Sequence, residues 1–201
     1  MRSRQAVLVH FSTVMADRPD LLFPEDLRQA ITLKGAPLSF STIQDGDTNP
    51  HMAGRGGAEG SVGLLIDLGP STLIDSVSPG DSGSSAAGSL GVPPTEESCT
   101  RSIDARAKSN EWRVQDYVPI GIFILPPIRV RQAYDVGGVP TVAEGPMTLG
   151  KVIDCFPGKR IFSANAHTFL EWDRASGGWR AIPYDDIFRH PPPEPDDGAE
   201  Q

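Results

Sequence analysis

Glycine and proline interrupt almost every stretch of this chain long enough to hold a long helix. They number 21 and 19 among 201 residues, and inside a helix they cost roughly 1 and 3 kcal/mol relative to alanine. A coiled coil or a helical bundle is thereby disfavoured. The same punctuation argues against a membrane-spanning helix. The longest apolar stretch, Val118 to Val130, contains Pro119, Pro126 and Pro127 and falls short of the ~20 residues that a span needs. Between the breaks the chain is 38% hydrophobic, enough to bury a core. The length predicts a single domain over residues 1–189 with a Pro-rich acidic tail, 190–201, expected to be disordered.

Charge narrows the partners. The net charge is −8, and the last twelve residues carry Glu194, Asp196, Asp197 and Glu200 with no Lys or Arg. An acidic body does not present the basic stripe that bulk nucleic-acid binding requires. Cys99 and Cys155 lie far apart and fit no metal-ligand spacing. His10, His51, His167 and His190 show no three- or four-residue pairing, so no metal is expected. At the N-terminus, Arg2 and Arg4 precede a short apolar run interrupted by His10 and Ser12. That run is too short for a signal peptide and predicts a cytoplasmic protein whose first strand starts at once.

Periodicity and breakers predict the elements. Gln5 to Ser12 reads as a buried strand. Pro24 to Gly35 reads as a helix, with Pro at its first position, Glu25 and Asp26 in the first turn, Lys34 in the last, and Leu27, Ala30 and Ile31 inward. Leu38 to Ile43 is a strand whose two faces carry Leu38, Phe40 and Thr42, and Ser39, Ser41 and Ile43. Strands follow at Ser61 to Asp67 and Thr72 to Val77, then a helix from Glu96 to Lys108 capped by Thr95. Further strands are expected at Glu111 to Tyr117 and at Ile120 to Gln132, the latter broken by proline. A short helix at Thr148 to Phe156 precedes a hairpin of Thr168 to Asp173 and Gly178 to Pro183. Long polar loops fall at 45–60 and 79–94. The fold class is α+β with a mainly antiparallel or mixed sheet and two to three short helices.

Two motifs imitate known chemistry. Gly80-Asp81-Ser82-Gly83 matches the surroundings of a serine-protease nucleophile. A serine hydrolase also needs a His base and an Asp orienter, and only His10 and His51 precede Ser82. Gly54 to Gly60 has the glycines of a phosphate loop, but Glu59 stands where the third glycine belongs and the segment precedes a strand. Both read as turn-rich loops.

A third constellation is more coherent. His10 and Ser12 end the first strand, Ser39 and Ser41 lie on the second in Leu38-Ser39-Phe40-Ser41-Thr42, and Glu111 opens a later one in Asn110-Glu111-Trp112-Arg113. Over roughly Val7 to Val130 this order resembles the ADP-ribosyltransferase-like fold. The resemblance implies an enzyme handling NAD as substrate, a transferase or NAD glycohydrolase, in the role of a toxin or defence effector. It implies Glu111 and Ser41 as catalytic residues, and His10, Ser12, Ser39 and Arg113 as NAD-binding residues. All are expected to converge on one pocket, with Trp112 and Tyr117 available for stacking. Ser109 stands where transferases of this class often carry Gln or Glu, and the first strand reads His10-Phe11-Ser12 in place of His-Gly-Thr. The alternative class is a non-catalytic module that binds a protein partner through its long Gly-rich loops.

Overall fold

The computed structural model describes residues 1–13, 22–46, 59–78, 91–104, 110–165 and 167–189. They form an α+β domain of four helices and eleven strands. In chain order these are β1 (Ala6–Thr13), α1 (Glu25–Thr32), β2 (Leu38–Gln44), β3 (Glu59–Asp67), β4 (Leu73–Ser78), α2 (Glu96–Asp104), β5 (Glu111–Gln115), β6 (Val118–Ile124), β7 (Arg129–Val136), β8 (Val139–Pro146), α3 (Leu149–Cys155), β9 (Arg160–Asn165), β10 (Thr168–Asp173), β11 (Gly178–Ala181) and α4 (Tyr184–Ile187). None of the four helices is long and apolar enough to cross a membrane.

Nine strands make one sheet in the order β11-β10-β9-β6-β3-β1-β2-β5-β4. Every neighbouring pair is antiparallel except β6 with β9. The apolar run Ala6 to Val9 is continuous because β1 lies mid-sheet and is covered on both faces. Ala6 and Leu8 join Leu64, Phe40 and Trp112 under α1, α2 and α3, which contribute Leu27, Ala30, Ile103 and Val152. Val7, Val9 and Phe11 face the other way, with Leu65, Phe123 and Phe162 under Ile182 and Ile187. At the parallel joint, a Cβ on Gly121 would lie 2.5 Å from the Arg160 carbonyl oxygen, so β6 and β9 close only around glycine.

Differences from the sequence expectations have local causes. α1 ends at Thr32, leaving Lys34 outside, and Pro24 occupies the N-cap position. Thr95 does cap α2, accepting from the Ser98 amide at 3.1 Å. The helix is described to Asp104, and the rest of its expected length lies outside the described residues. β3 and β4 follow one another in sequence but do not pair. β3 sits between β1 and β6, and β4 pairs with β5. Three elements were not anticipated: β8, β9 and α4. β8 pairs with β7 as a separate ribbon turned at Gly137 and Gly138, whose φ values of 63° and 85° favour glycine. The ribbon exposes Tyr134, Val136, Val139 and Val142.

Candidate functional site

The sheet forks between β1 and β2. The two strands share four register pairs, from Ala6↔Gln44 to Val9↔Ser41. Beyond Val9, β1 runs on along β3 to Thr13, while the other half of β2, back to Leu38, pairs with β5. The three strands that carry the sequence candidates are therefore neighbours, and His10 stands where the first two part.

His10 is half-buried and packs against Phe40 with ring centroids 5.7 Å apart. Its Nδ1 lies 2.8 Å from the Ser39 carbonyl oxygen. A carbonyl only accepts, so Nδ1 carries the proton and Nε2 is left as the acceptor nitrogen. Burial lowers the imidazole pKa below 6.5, against the opposing pull of the Ser39 carbonyl and the Asp26 charge. Asp26, in the first turn of α1, accepts from Ser12 Oγ and from the Leu27 amide. Burial nevertheless raises its carboxyl pKa above the ordinary value, outweighing those hydrogen bonds and the His10 charge.

The opposite face carries the acid. Val9↔Ser41 and Ser39↔Arg113 are register pairs, so Ser39, Ser41, Glu111 and Arg113 project together. Ser39 Oγ donates to Glu111 Oε1 at 2.5 Å. Arg113 is half-buried, and its side chain makes no hydrogen bond or ion pair to another described residue. On the β4 side, Ser76 and Ser78 are in register with Arg113 and Glu111.

A buried polar knot lies at the start of β5. Ser41, 7% exposed, donates to the Asn110 carbonyl at 3.1 Å. The Asn110 side chain accepts from the Thr42 amide at 2.7 Å and donates to Thr42 Oγ1 and, at 3.0 Å, to the Ser102 carbonyl. Ser102 Oγ donates in turn to the Ser78 carbonyl at 2.8 Å.

The sequence candidates thus separate. Ser39, Glu111 and Arg113 come together on one face. His10 and Ser12 stem from the helix-covered face, because they fall one pleat out of step with Val9 and Phe11. His10 is linked to Glu111 through Ser39, not across a shared pocket. Ser12 is tied to Asp26, and Ser41 is tied to Asn110. Trp112 and Tyr117 are 1% and 2% exposed in the helix-side core, and the Tyr117 hydroxyl donates to the Ala30 carbonyl at 2.6 Å. Alternation turns Trp112 away from Glu111, so neither ring stacks in the site. Asp26 and Asn110 escaped the sequence reading. An acid in the first helical turn reads as a complement to the helix dipole, and an Asn before a strand reads as a turn residue.

Gly80-Asp81-Ser82-Gly83, His51, Ser109, most of both long loops and the tail lie outside the described residues. Among the described residues no group of three or more His, Cys, Asp or Glu could hold a metal. A groove of about 450 Å³ beside Gln5, His167, Thr168 and Tyr184, and a smaller cavity of about 170 Å³ beside Met1, Leu68 and Phe188, include no residue of the Ser39–Glu111 group.

No protein-family model matches the chain, and neither the curated proteins nor the solved structures yield a match.

His10 offers a direct check on these electrostatics. In an NMR titration its imidazole is expected to titrate below 6.5, and Asp26→Asn is expected to lower it further, because the anionic neighbour that favours the imidazolium is gone. Unchanged titration in the variant rejects the coupling. The linked stability is present above 6.5 and is lost as pH falls below that value toward the folded pKa, where the unfolded chain binds the proton more readily.

Proposed function

We propose that the chain is an NAD-handling enzyme of the ADP-ribosyltransferase-like type, a transferase or glycohydrolase serving as a toxin or defence effector, that cleaves the nicotinamide–ribose bond at Glu111. The observation that carries the reading is the Ser39 Oγ–Glu111 hydrogen bond, formed across neighbouring β2 and β5 beside the strand that bears His10. Cleavage of that bond develops positive charge on the ribose. A carboxylate held in place by Ser39 answers that charge without reorganising. Arg113, on the same face, supplies a planar fork for the pyrophosphate. The free thiols of Cys99 and Cys155 suit a reducing compartment, and we place the protein in the cytoplasm.

The test is thermal melting with NAD, together with assay of nicotinamide release. A ligand that binds only the folded chain raises the melting temperature by mass action. No rise at millimolar NAD, with no nicotinamide released, rejects the reading. One observation favours the second reading, a non-catalytic module that binds a protein: the β7–β8 ribbon presents Tyr134, Val136 and Val139 to solvent.

A further inference from the structure

We infer that Asn110 is a positioning residue for Glu111, fixing where β5 begins and therefore where the carboxylate is presented; the inference rests on the NAD reading above. Asn110 immediately precedes Glu111 and is 7% exposed. Its side chain ties three elements together. Oδ1 accepts from the Thr42 amide of β2, and Nδ2 donates to Thr42 Oγ1 and to the Ser102 carbonyl of α2. Its own carbonyl receives the Ser41 hydroxyl. The Thr42 amide can only donate and the Ser102 carbonyl can only accept, so the orientation of the carboxamide is determined. A buried group with donor and acceptor both engaged has one arrangement available. Glu111, the next residue, inherits its backbone position from that anchor, and Ser39 then fixes one carboxylate oxygen. Ser41 serves the same post by holding the Asn110 carbonyl.

The chemistry of the anchor selects its replacements. Aspartate has the same shape but no donor, and it would set a carboxylate against the Ser102 carbonyl. Alanine leaves the Thr42 amide and the Ser102 carbonyl without their partner.

The experiment compares NAD cleavage by the full chain, Asn110→Ala and Asn110→Asp, each confirmed folded by circular dichroism. Both variants are expected to lose kcat about tenfold or more while KM for NAD stays within about threefold, because the lost alignment acts in the transition state. In a Glu111→Gln background, Asn110→Ala is expected to remove nothing further, since residues acting as a unit are not additive. If Asn110→Ala does not fold, Thr42→Ala, which removes only the Oγ1 partner, carries the same expectation at smaller magnitude. Unchanged kcat in a folded variant, or an equal further loss in the Glu111→Gln background, overturns the inference. Failure of the parent chain to cleave NAD instead overturns the NAD reading. The Asn110–Glu111 coupling is then read from the chemical shift of the Glu111 carboxyl carbon at neutral pH. An Asn110→Ala variant that leaves this resonance unmoved overturns the coupling as well.

Discussion

Glu111→Gln is expected to bind NAD as the parent chain does and to cleave it about 10²–10³-fold more slowly, the loss typical of removing one group aimed at transition-state charge. Glutamine has the same shape, and its Oε1 can still accept from Ser39 Oγ. Only the negative charge is removed. Ground-state binding relies mainly on Arg113, so KM should move little while kcat falls. Ser39→Ala keeps the charge and removes one hydrogen bond that orients the carboxylate, which predicts a smaller loss, about tenfold. Single-turnover assays with titrated NAD separate binding from chemistry. Undiminished turnover in Glu111→Gln would remove Glu111 from the mechanism, whatever its place in the fold.

Arg160→Met is expected to produce the largest loss of stability. Arg160 closes the domain at β9. It donates to Glu171 Oε1 at 2.6 Å and to the carbonyls of Asp186, Ile187 and Arg189 at 3.0, 2.7 and 2.9 Å, and it lies 4.6 Å from the Phe162 ring centroid. Its side chain is 17% exposed and that of Glu171 9%. Methionine keeps the apolar stem but leaves Glu171 only the exposed Arg180 and leaves the chain at α4 without its donor. Breaking a buried pair in this way costs about 3 kcal/mol or more, and for a domain of this size that lowers Tm by roughly 6–12 °C. A melt within a degree of the parent would show the network to be incidental. The pH dependence follows the same pair. Burial works to raise the Glu171 carboxyl pKa, but the hydrogen bonds and charges of Arg160 and Arg180 outweigh it and hold the carboxyl below 4.5. Its contribution is present above 4.5 and lost as pH falls through the folded pKa. Melts from neutral to acid pH should show a smaller acid-induced loss in Arg160→Met, where the Glu171 carboxyl is held less far below its ordinary value.

The legible part of the fold was the part written in local chemistry. The apolar run of β1, the Gly35 that follows α1, the proline break between β6 and β7 and the hairpin of β10 and β11 each follow from residues close together in sequence. β8 was legible in principle, because Gly137-Gly138 between alternating residues is a hairpin signal. β9 gives a weaker signal, since its position depends on Gly121 of β6 admitting the Arg160 backbone, a contact between distant residues. In the site, residue types pointed to Ser39 and Glu111. The sequence does not state the pleat that sends His10 and Ser12 to the other face, because register is a property of paired strands. Nor does it state that Asn110 is the hub, since its partners Thr42 and Ser102 come from two other elements.

The fork has a consequence for motion. Among the described strands, the β1–β2 pairing, with four register pairs, is the one ladder that joins the β2-β5-β4 wing to β1 and the strands beyond it. Amide exchange should therefore report two cooperative units meeting at Val9 and Ser41, with the smaller wing opening first. A ligand bridging β1 and the β2-β5-β4 wing would staple them together. Its signature would be slowed exchange across the whole β2-β5-β4 wing, well beyond the residues it contacts.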